Sequence, residues 1–480
     1  VVARTAPLRR AAPWFAIIAA RVELLLGVLC AACSASAPRT APQSPAKPAT
    51  GPSHDPDHAR GELPIATTRQ TELAGLRHDL DTMYAHRVAK LARYHLDEDQ
   101  IFRNAETRLL AADSWAKYDS ALYETLAEFH DGHLSYRPPR TAAPSRGYTS
   151  YRLGLRTVLA HDHLLVSEVD AGSDVAAAGV LPGDEVIAID KRPIADVLVA
   201  TGRSRSDARP QSALVQWAKM WTSVLIPKGD TPRVHPIEVE KRTGGTVHVD
   251  ITPQLPAPGK HEVVSVAHAG DIAIVTIKSL EGGKARAVAI DDALAEARDA
   301  KGIVLDLRGN RGGVDKVGFR VVAGLAEGTA KLGEYRVLAA PETLARRPAW
   351  KGLVAEADGF SPVQQLTVPA LPKRYPGKIA VVVDAGCFST CEIVVAALRA
   401  DVGAILIGDI TGGSSGAPVS VTLPASKGSV QIPTWNLLAA DGKPIEDDGV
   451  APDLDAVATP DGLAANHDVP LDVAIAKVTP

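Results

Sequence analysis

Ile303-Val304-Leu305-Asp306-Leu307-Arg308-Gly309-Asn310-Arg311-Gly312-Gly313 is the stretch from which the fold can be read. Its short apolar run, rich in branched residues and closed by a glycine-rich turn, reads as a buried strand. The glycines that follow allow backbone N–H groups to approach a ligand closely. Working outward, residues 272–277 read as a second strand and 285–300 as a helix. Downstream, 379–384 and 405–407 read as strands, with a helix over 390–399 between them. Strands alternating with helices predict an α/β domain with a largely parallel sheet over residues 262–480.

A second stretch, Phe388-Ser389-Thr390-Cys391-Glu392, lies between a strand pattern and a helix pattern. It places Ser389 at a helix N-terminus, where free N–H groups and the helix dipole favour negative charge. A plain N-cap serine would sit in the same place. The two stretches together suit acyl transfer, which needs donors aimed at a developing oxyanion. The candidates are the N–H of Thr390 and the N–H groups of Gly312 and Gly313.

Composition bounds the alternatives. A chain of 480 residues has room for two to four domains. The net charge of −4 gives no basic field for nucleic acid, and 4% aromatic residues give no stacking platform for single strands. The four cysteines are too few for a disulfide scaffold. No Cys/His cluster has structural zinc spacing. His130 and His133 lie three apart without a third ligand near them in sequence, so no metal and no cofactor is expected.

Residues 1–33 read as a targeting segment, with Arg4, Arg9 and Arg10 before an apolar run that ends in small residues. Arg21 and Glu23 interrupt that run and disfavour a stable membrane span. Leu29-Cys30-Ala31-Ala32-Cys33-Ser34 is similar to a lipoprotein cleavage site with Cys33 as the lipidated residue. Cleavage after small residues without lipidation is the other reading. Residues 34–64, rich in Ala, Pro, Ser and Thr, are expected to be a disordered tether. Export to the periplasm or cell envelope follows, with membrane contact only through a lipid anchor.

Residues 65–147 read as a helical region, with Leu73, Leu76, Leu80 and Met83 at helical spacing. Over 148–256 a strand at 164–169, a Gly-Ser turn, a short helix at 176–179 and a strand at 185–190 follow in order. This order resembles a bacterial PDZ domain, with an insertion over 195–232. Leu153, Gly154 and Leu155 stand where that family has its carboxylate-binding loop, which implies capture of a peptide C-terminus. A small β domain without a peptide role is the alternative.

Over residues 65–455 the chain resembles the carboxyl-terminal processing (tail-specific) serine peptidases. The resemblance implies a multidomain α+β fold: an N-terminal helical region, a PDZ-like β domain and a crotonase/ClpP-like α/β catalytic domain. That family has its nucleophile in a Ser-x-x-Glu pattern, here Ser389 with Glu392. The lysine-dependent branch carries Gly-Lys-Gly about 25 residues later, where this chain has Thr411-Gly412-Gly413-Ser414-Ser415-Gly416. Lys427, in what reads as the next strand, is a decoy. The chain is more similar to the branch resembling the tricorn core protease, which takes its base from a histidine. On that resemblance His133, in Asp131-Gly132-His133, is the general base, and Glu446 is the carboxylate that orients it. Cys387 and Cys391 flank the nucleophile. They are either a disulfide, which requires Cys387 to lie outside the helix, or two packed thiols. The expected activity is a serine endopeptidase acting on unstructured or C-terminally recognised proteins. The rival is a non-catalytic binding protein of the same fold. Neither oligomeric state nor natural substrate is legible.

Overall fold

The computed structural model describes residues 60–139, 148–203, 209–256, 262–372 and 375–480. The expected leader, most of the expected tether and Cys33 lie outside these residues.

Four helices come first: α1 (Ala66–Met83), α2 (Arg87–Arg93), α3 (Glu98–Ala111) and α4 (Trp115–Ala127). Side chains of Asp97 and Ser114 cap α3 and α4 by accepting from the N–H groups of Gln100 and Lys117. The stripe Leu73, Leu76, Leu80 and Met83 is buried, as its spacing requires. After α4 the chain turns through Asp131-Gly132-His133 into β1 (Ser135–Arg137). This short strand pairs antiparallel with β18 (Ser429–Ile432), which pairs in turn with β17 (Val419–Thr422). Val419, Val421, Val430 and Ile432 share one core with the four helices. A late hairpin therefore completes the N-terminal region. Lys427, expected in a strand, is exposed in the turn of that hairpin at φ 59°. The reversal needs a left-handed residue there, which a strand would not tolerate.

The second unit is a sheet in the order β3 (Leu155–Ala160), β4 (His163–Val169), β5 (Glu185–Ile189), β8 (His235–Glu240), β9 (Thr246–Ile251), with β6 (Arg192–Pro193) on β5. Helix α5 (Asp174–Ala177) follows β4, and β2 (Tyr148–Arg152) pairs with β7 (Ser223–Pro227). The expected insertion consists of α6 (Ile194–Arg203), α7 (Pro210–Met220) and β7. Helix α7 packs on β3, where the Thr157 hydroxyl donates to the Ala218 carbonyl at 2.6 Å. Leu153 and Leu155 are buried, and the Leu153 N–H already donates to Thr222 O at 3.0 Å. The expected carboxylate loop is corrected at that residue, because a donor satisfied inside the fold cannot also hold a peptide terminus.

The third unit is built on a six-stranded sheet: β10 (Val264–Ala269), β11 (Ile272–Ile277), β12 (Gly302–Asp306), β15 (Lys378–Val383), β16 (Ile405–Gly408), β20 (Leu454–Asp455). Only β10 runs antiparallel to its neighbour. Helices α8 (Gly283–Glu296), α9 (Asp315–Leu325) and α11 (Thr390–Ala397) cover one face. Helix α13 (Val469–Val478) covers the other through Ala474 and Val478. With both faces buried, the central strands read as continuous apolar runs. A side sheet of β14 (Gln364–Pro369), β13 (Thr329–Val337) and β19 (Trp435–Ala439) flanks α11. Two short helices, α10 (Pro341–Arg346) and α12 (Pro460–Ala464), complete the set. The loops leaving β12 and β15 meet at the carboxyl ends of adjacent parallel strands, where open α/β sheets bind their ligands.

Candidate active site

Asp384 follows β15, and the chain then turns sharply so that Ser389 enters α11 at φ 59° and ψ −127°. Such a conformation costs a non-glycine residue about 1–3 kcal/mol and persists only where its surroundings enforce it. Three restraints do so here. The Ser389 N–H donates to Glu392 Oε2 at 3.0 Å. Phe388 N–H donates to Asn310 O at 3.0 Å. Cys387 and Cys391 are joined as a disulfide with their Cα atoms 5.7 Å apart, Cys387 lying before the helix.

The Ser389 hydroxyl lies 2.9 Å from Nε2 of His133, from 256 residues earlier in the chain. The imidazole stacks on Phe388, with ring centroids 5.0 Å apart. A β-carbon at Gly416 would lie 3.0 Å from the His133 ring, so glycine there makes room for it. Burial pushes the His133 pKa down to about 4, despite the opposing pull of Asp131. The ring is therefore neutral near pH 7 and able to accept a proton.

Nδ1 of His133 faces the Ser414 hydroxyl at 2.8 Å. This corrects the expectation for Glu446, which does not occupy that place. Glu446 Oε2 instead accepts from the Ser415 N–H at 2.8 Å, and Oε1 lies 2.6 Å from the Lys90 ammonium. Its carboxylate is drawn to a buried cation, and it reaches the imidazole only through the neighbouring peptide. Burial and Asp131 push the Glu446 pKa up to about 7.

Behind His133 lies a buried charge cluster. Asp131 Oδ1 accepts the His133 backbone N–H at 2.9 Å, and Oδ2 accepts from Tyr84 at 2.9 Å. His86 places Nδ1 2.8 Å from Asp131 Oδ2 and Nε2 2.8 Å from the Trp435 carbonyl. Both partners are acceptors, so both ring nitrogens carry hydrogen and His86 is an imidazolium. Burial opposes that charge, but Glu446 and Asp131 together raise its pKa above the ordinary histidine value. Burial likewise opposes the charge on Asp131, yet His86 beside it holds the carboxyl below the usual range. His86, Asp131 and Glu446 bring donor atoms within 4.8 Å of one another, as a metal site would. The Lys90 ammonium and the His86 imidazolium already supply the cations of that cluster.

Of the expected oxyanion donors, the Gly312 N–H is spent on Asn310 Oδ1 at 2.9 Å. That is a second correction, since a donor turned back into its own loop cannot face a substrate. Gly312 contributes instead by lacking a side chain. At φ +79° a β-carbon there would lie 2.6 Å from Phe388 O and 2.9 Å from the Thr390 N–H nitrogen. The Thr390 N–H is the first of its helix, with no preceding turn to accept it. Thr390 Oγ1 is 3.1 Å from Gly313 O and 2.6 Å from Asp315 Oδ1, which ties the two donor segments together.

Glu392, fully buried, accepts from the N–H groups of Ser389, Gly413 and Ser414 and from the Thr411 hydroxyl. Burial pushes its pKa up to about 7 against those four donors. It fixes the loop that carries Ser414 to the loop that carries Ser389. A cavity of about 330 Å³ opens beside Ser389, with Val314, Ile393, Ala417, Pro418 and Trp435 on its walls and Asp315 and Arg347 among its polar groups. A larger cavity of about 770 Å³ lies behind the charge cluster, against Lys90, Leu438 and Asp447, with neither Ser389 nor His133 on its wall.

Residues 271–456 match the model of Peptidase family S41. The chain carries an S41 domain, and it is a serine peptidase. Among solved structures, mature CPAF superposes with a TM-score of 0.63 at 14% identity, over 83% of this chain and 94% of that one. Mature CPAF complexed with lactacystin gives 0.62 at 14% identity, over 83% and 95%. At that identity the likeness speaks for the fold alone. The tricorn protease gives 0.44 at 14% identity, over 85% of this chain and 36% of that one, a likeness too loose to argue from. No curated protein matches the chain by sequence. The S41 match begins at residue 271 and so omits His133, which reaches the S41 domain only through the fold.

Sequence reasoning missed Ser414, His86 and Lys90. Ser414 stands 25 residues after Ser389, where the lysine-dependent branch has its lysine. A hydroxyl in that place was the available signal for a partner to a histidine base.

Proposed function

We propose that this protein is an exported serine endopeptidase in which Ser389 is the nucleophile and His133 the general base. The observation that carries this is the 2.9 Å approach of His133 Nε2 to Ser389 Oγ across 256 residues. For Nε2 to accept the serine proton, Nδ1 must carry hydrogen and donate it to Ser414 Oγ. Ser414 Oγ can accept that hydrogen and so accommodates the productive tautomer. Ser389 Oγ then attacks the peptide carbonyl. The Thr390 and Gly313 N–H groups face the oxyanion. His133 passes the proton to the leaving amine, and water resolves the acyl-enzyme. The cavity beside Ser389, with its mainly apolar wall, would receive a substrate side chain. Extended substrates are favoured, because both sides of the scissile bond must reach a site walled by several loops.

Residues 148–256 are read as a PDZ-like unit that recruits substrates by their C-termini, with Gly154 and Leu155 as the remaining residues of the expected loop. Export accords with the basic and apolar start of the chain and with a disulfide beside the nucleophile. Lipidation at Cys33 would tether the enzyme to the envelope. The test is cleavage of unfolded casein by residues 60–480, beside Ser389→Ala and His133→Ala. Activity abolished in both variants is expected. Activity retained in His133→Ala would remove His133 as base, and a wild type that neither cleaves nor reacts with a fluorophosphonate would favour a binding protein.

A further inference from the structure

The insertion in the second unit ends up against the catalytic loops. Helix α7 lies along the loops that leave β15 and β16. At its C-terminal end, Lys219 Nζ donates to Asp384 Oδ2 at 2.8 Å. The other oxygen of Asp384 accepts from the Gly309 N–H at 2.7 Å and the Gly386 N–H at 2.9 Å. One carboxylate thus ties the loop that carries Gly313 to the turn that carries Ser389, and a cation from a different unit caps it. The fit is close. A β-carbon on Gly309 would lie 2.5 Å from Lys219 Nζ, and one on Gly386 would lie 2.8 Å from Gln216 Nε2 and 2.9 Å from Gly309 Cα. At the other end of α7, Arg209 donates to Thr411 O at 2.5 Å, next to the loop that carries Ser414. On the same helix Ser212 Oγ and Gln216 Nε2 are buried without a hydrogen-bond partner among the described residues. Such groups are costly to leave unpaired, so the seat of α7 on these loops is not fully satisfied in this arrangement.

We propose that Lys219 and Asp384 are positioning residues for the peptidase site. Through Asp384, helix α7 sets the separation between the oxyanion-donor loop and Ser389. A displacement of the second unit is then felt at the donors. This rests on the serine peptidase reading above. It concerns residues that touch no reacting atom.

The test uses the chain from residue 60 with Lys219→Met, Asp384→Asn and the conservative Lys219→Arg. Three quantities are read: steady-state hydrolysis of a fluorogenic casein-derived peptide, the rate at which a fluorophosphonate acylates Ser389, and amide exchange over residues 306–313. For Lys219→Met and Asp384→Asn, kcat and the acylation rate are expected to fall about 10- to 100-fold, on the scale of a displaced oxyanion donor. KM should change less than about twofold, exchange over 306–313 should quicken, and Lys219→Arg should restore most of kcat. Unchanged kcat and unchanged exchange in Lys219→Met would overturn the proposal. So would a lowered melting temperature with KM and kcat both impaired and no rescue by arginine, which marks a merely structural pair. If the wild type neither hydrolyses peptide nor acylates, the peptidase reading fails. Exchange still decides the clamp in that case: faster in Lys219→Met supports it, unaltered overturns it.

Discussion

His133 is neutral because it is buried, and that fixes how the enzyme should respond to acid. With its pKa pushed down to about 4, the imidazole stays unprotonated well below the usual histidine range, as the proposed base must. The acid limb of kcat/KM for the free enzyme is expected near pH 4, where an ordinary histidine would place it near 6.5. A pH profile of peptide hydrolysis checks this, and a limb near 6.5 would mean an exposed or carboxylate-paired ring. The stability effect has a defined sign. Between about pH 6.5 and 4 the unfolded chain binds a proton at this residue that the folded chain refuses, so acidification through that window costs stability. Ser414 supports the same residue from the other side. Ser414→Ala leaves Nδ1 without its acceptor, and kcat/KM is expected to drop roughly 10- to 100-fold with KM little changed, no more than the lower end of what a positioned proton transfer contributes. Ser389 and His133, which the fold brings to 2.9 Å, stood out in the sequence because each sits in a short motif with its own local geometry. Ser414 and His86 did not, because a serine in a glycine-rich loop and a histidine at a helix start look ordinary until the fold brings charges around them.

The turn from β15 into α11 is where local strain and long-range support meet. Ser389 holds its left-handed backbone because Glu392, Asn310 and the disulfide hold its neighbours. Gly312 is the counterpart on the facing loop. Gly312→Ala adds a methyl 2.6 Å from Phe388 O at a φ of +79°. The loop must retreat, at a backbone cost alone of about 1–2 kcal/mol. The melting temperature should fall modestly while acylation of Ser389 falls by about two orders of magnitude, the worth of one oxyanion donor. A fluorophosphonate labelling time course reads this directly. Equal labelling of variant and wild type would show that the loop yields without moving the donors. At this scale the parallel sheet was the easiest feature to read, since β12 and β15 are buried on both faces and carry unbroken apolar runs. The hairpin of β17 and β18 was harder. Its apolar residues belong to the core of helices the last of which ends at Ala127, 292 residues before β17 begins at Val419, and no local pattern reveals a partner that distant.

Seen whole, the site draws on regions that no single stretch contains: residue 133, the loop at 309–313, the turn at 384–390 and the loop at 411–416. Residues 262–480, which include the entire family match, carry the proposed nucleophile and donors but not the proposed base. This fragment is expected to show no peptide hydrolysis, and the exposed apolar face of β17 and β18 should make it prone to association. Hydrolysis by the purified fragment at even a hundredth of the full-length rate would mean that another base serves Ser389.

The pairing of β1 with β18 also sets an order of events during synthesis. The ribosome delivers His133 first and must add 256 residues before Ser389 exists, and β18 follows later still. At typical elongation rates that interval is roughly 13–50 s. Throughout it the proposed base has no proposed nucleophile to act on, so the proposed mechanism gives the nascent chain no means of cutting itself. Any activity that depends on the His133–Ser389 contact therefore arrives only after both residues have been made and the hairpin of β17 and β18 has docked on β1.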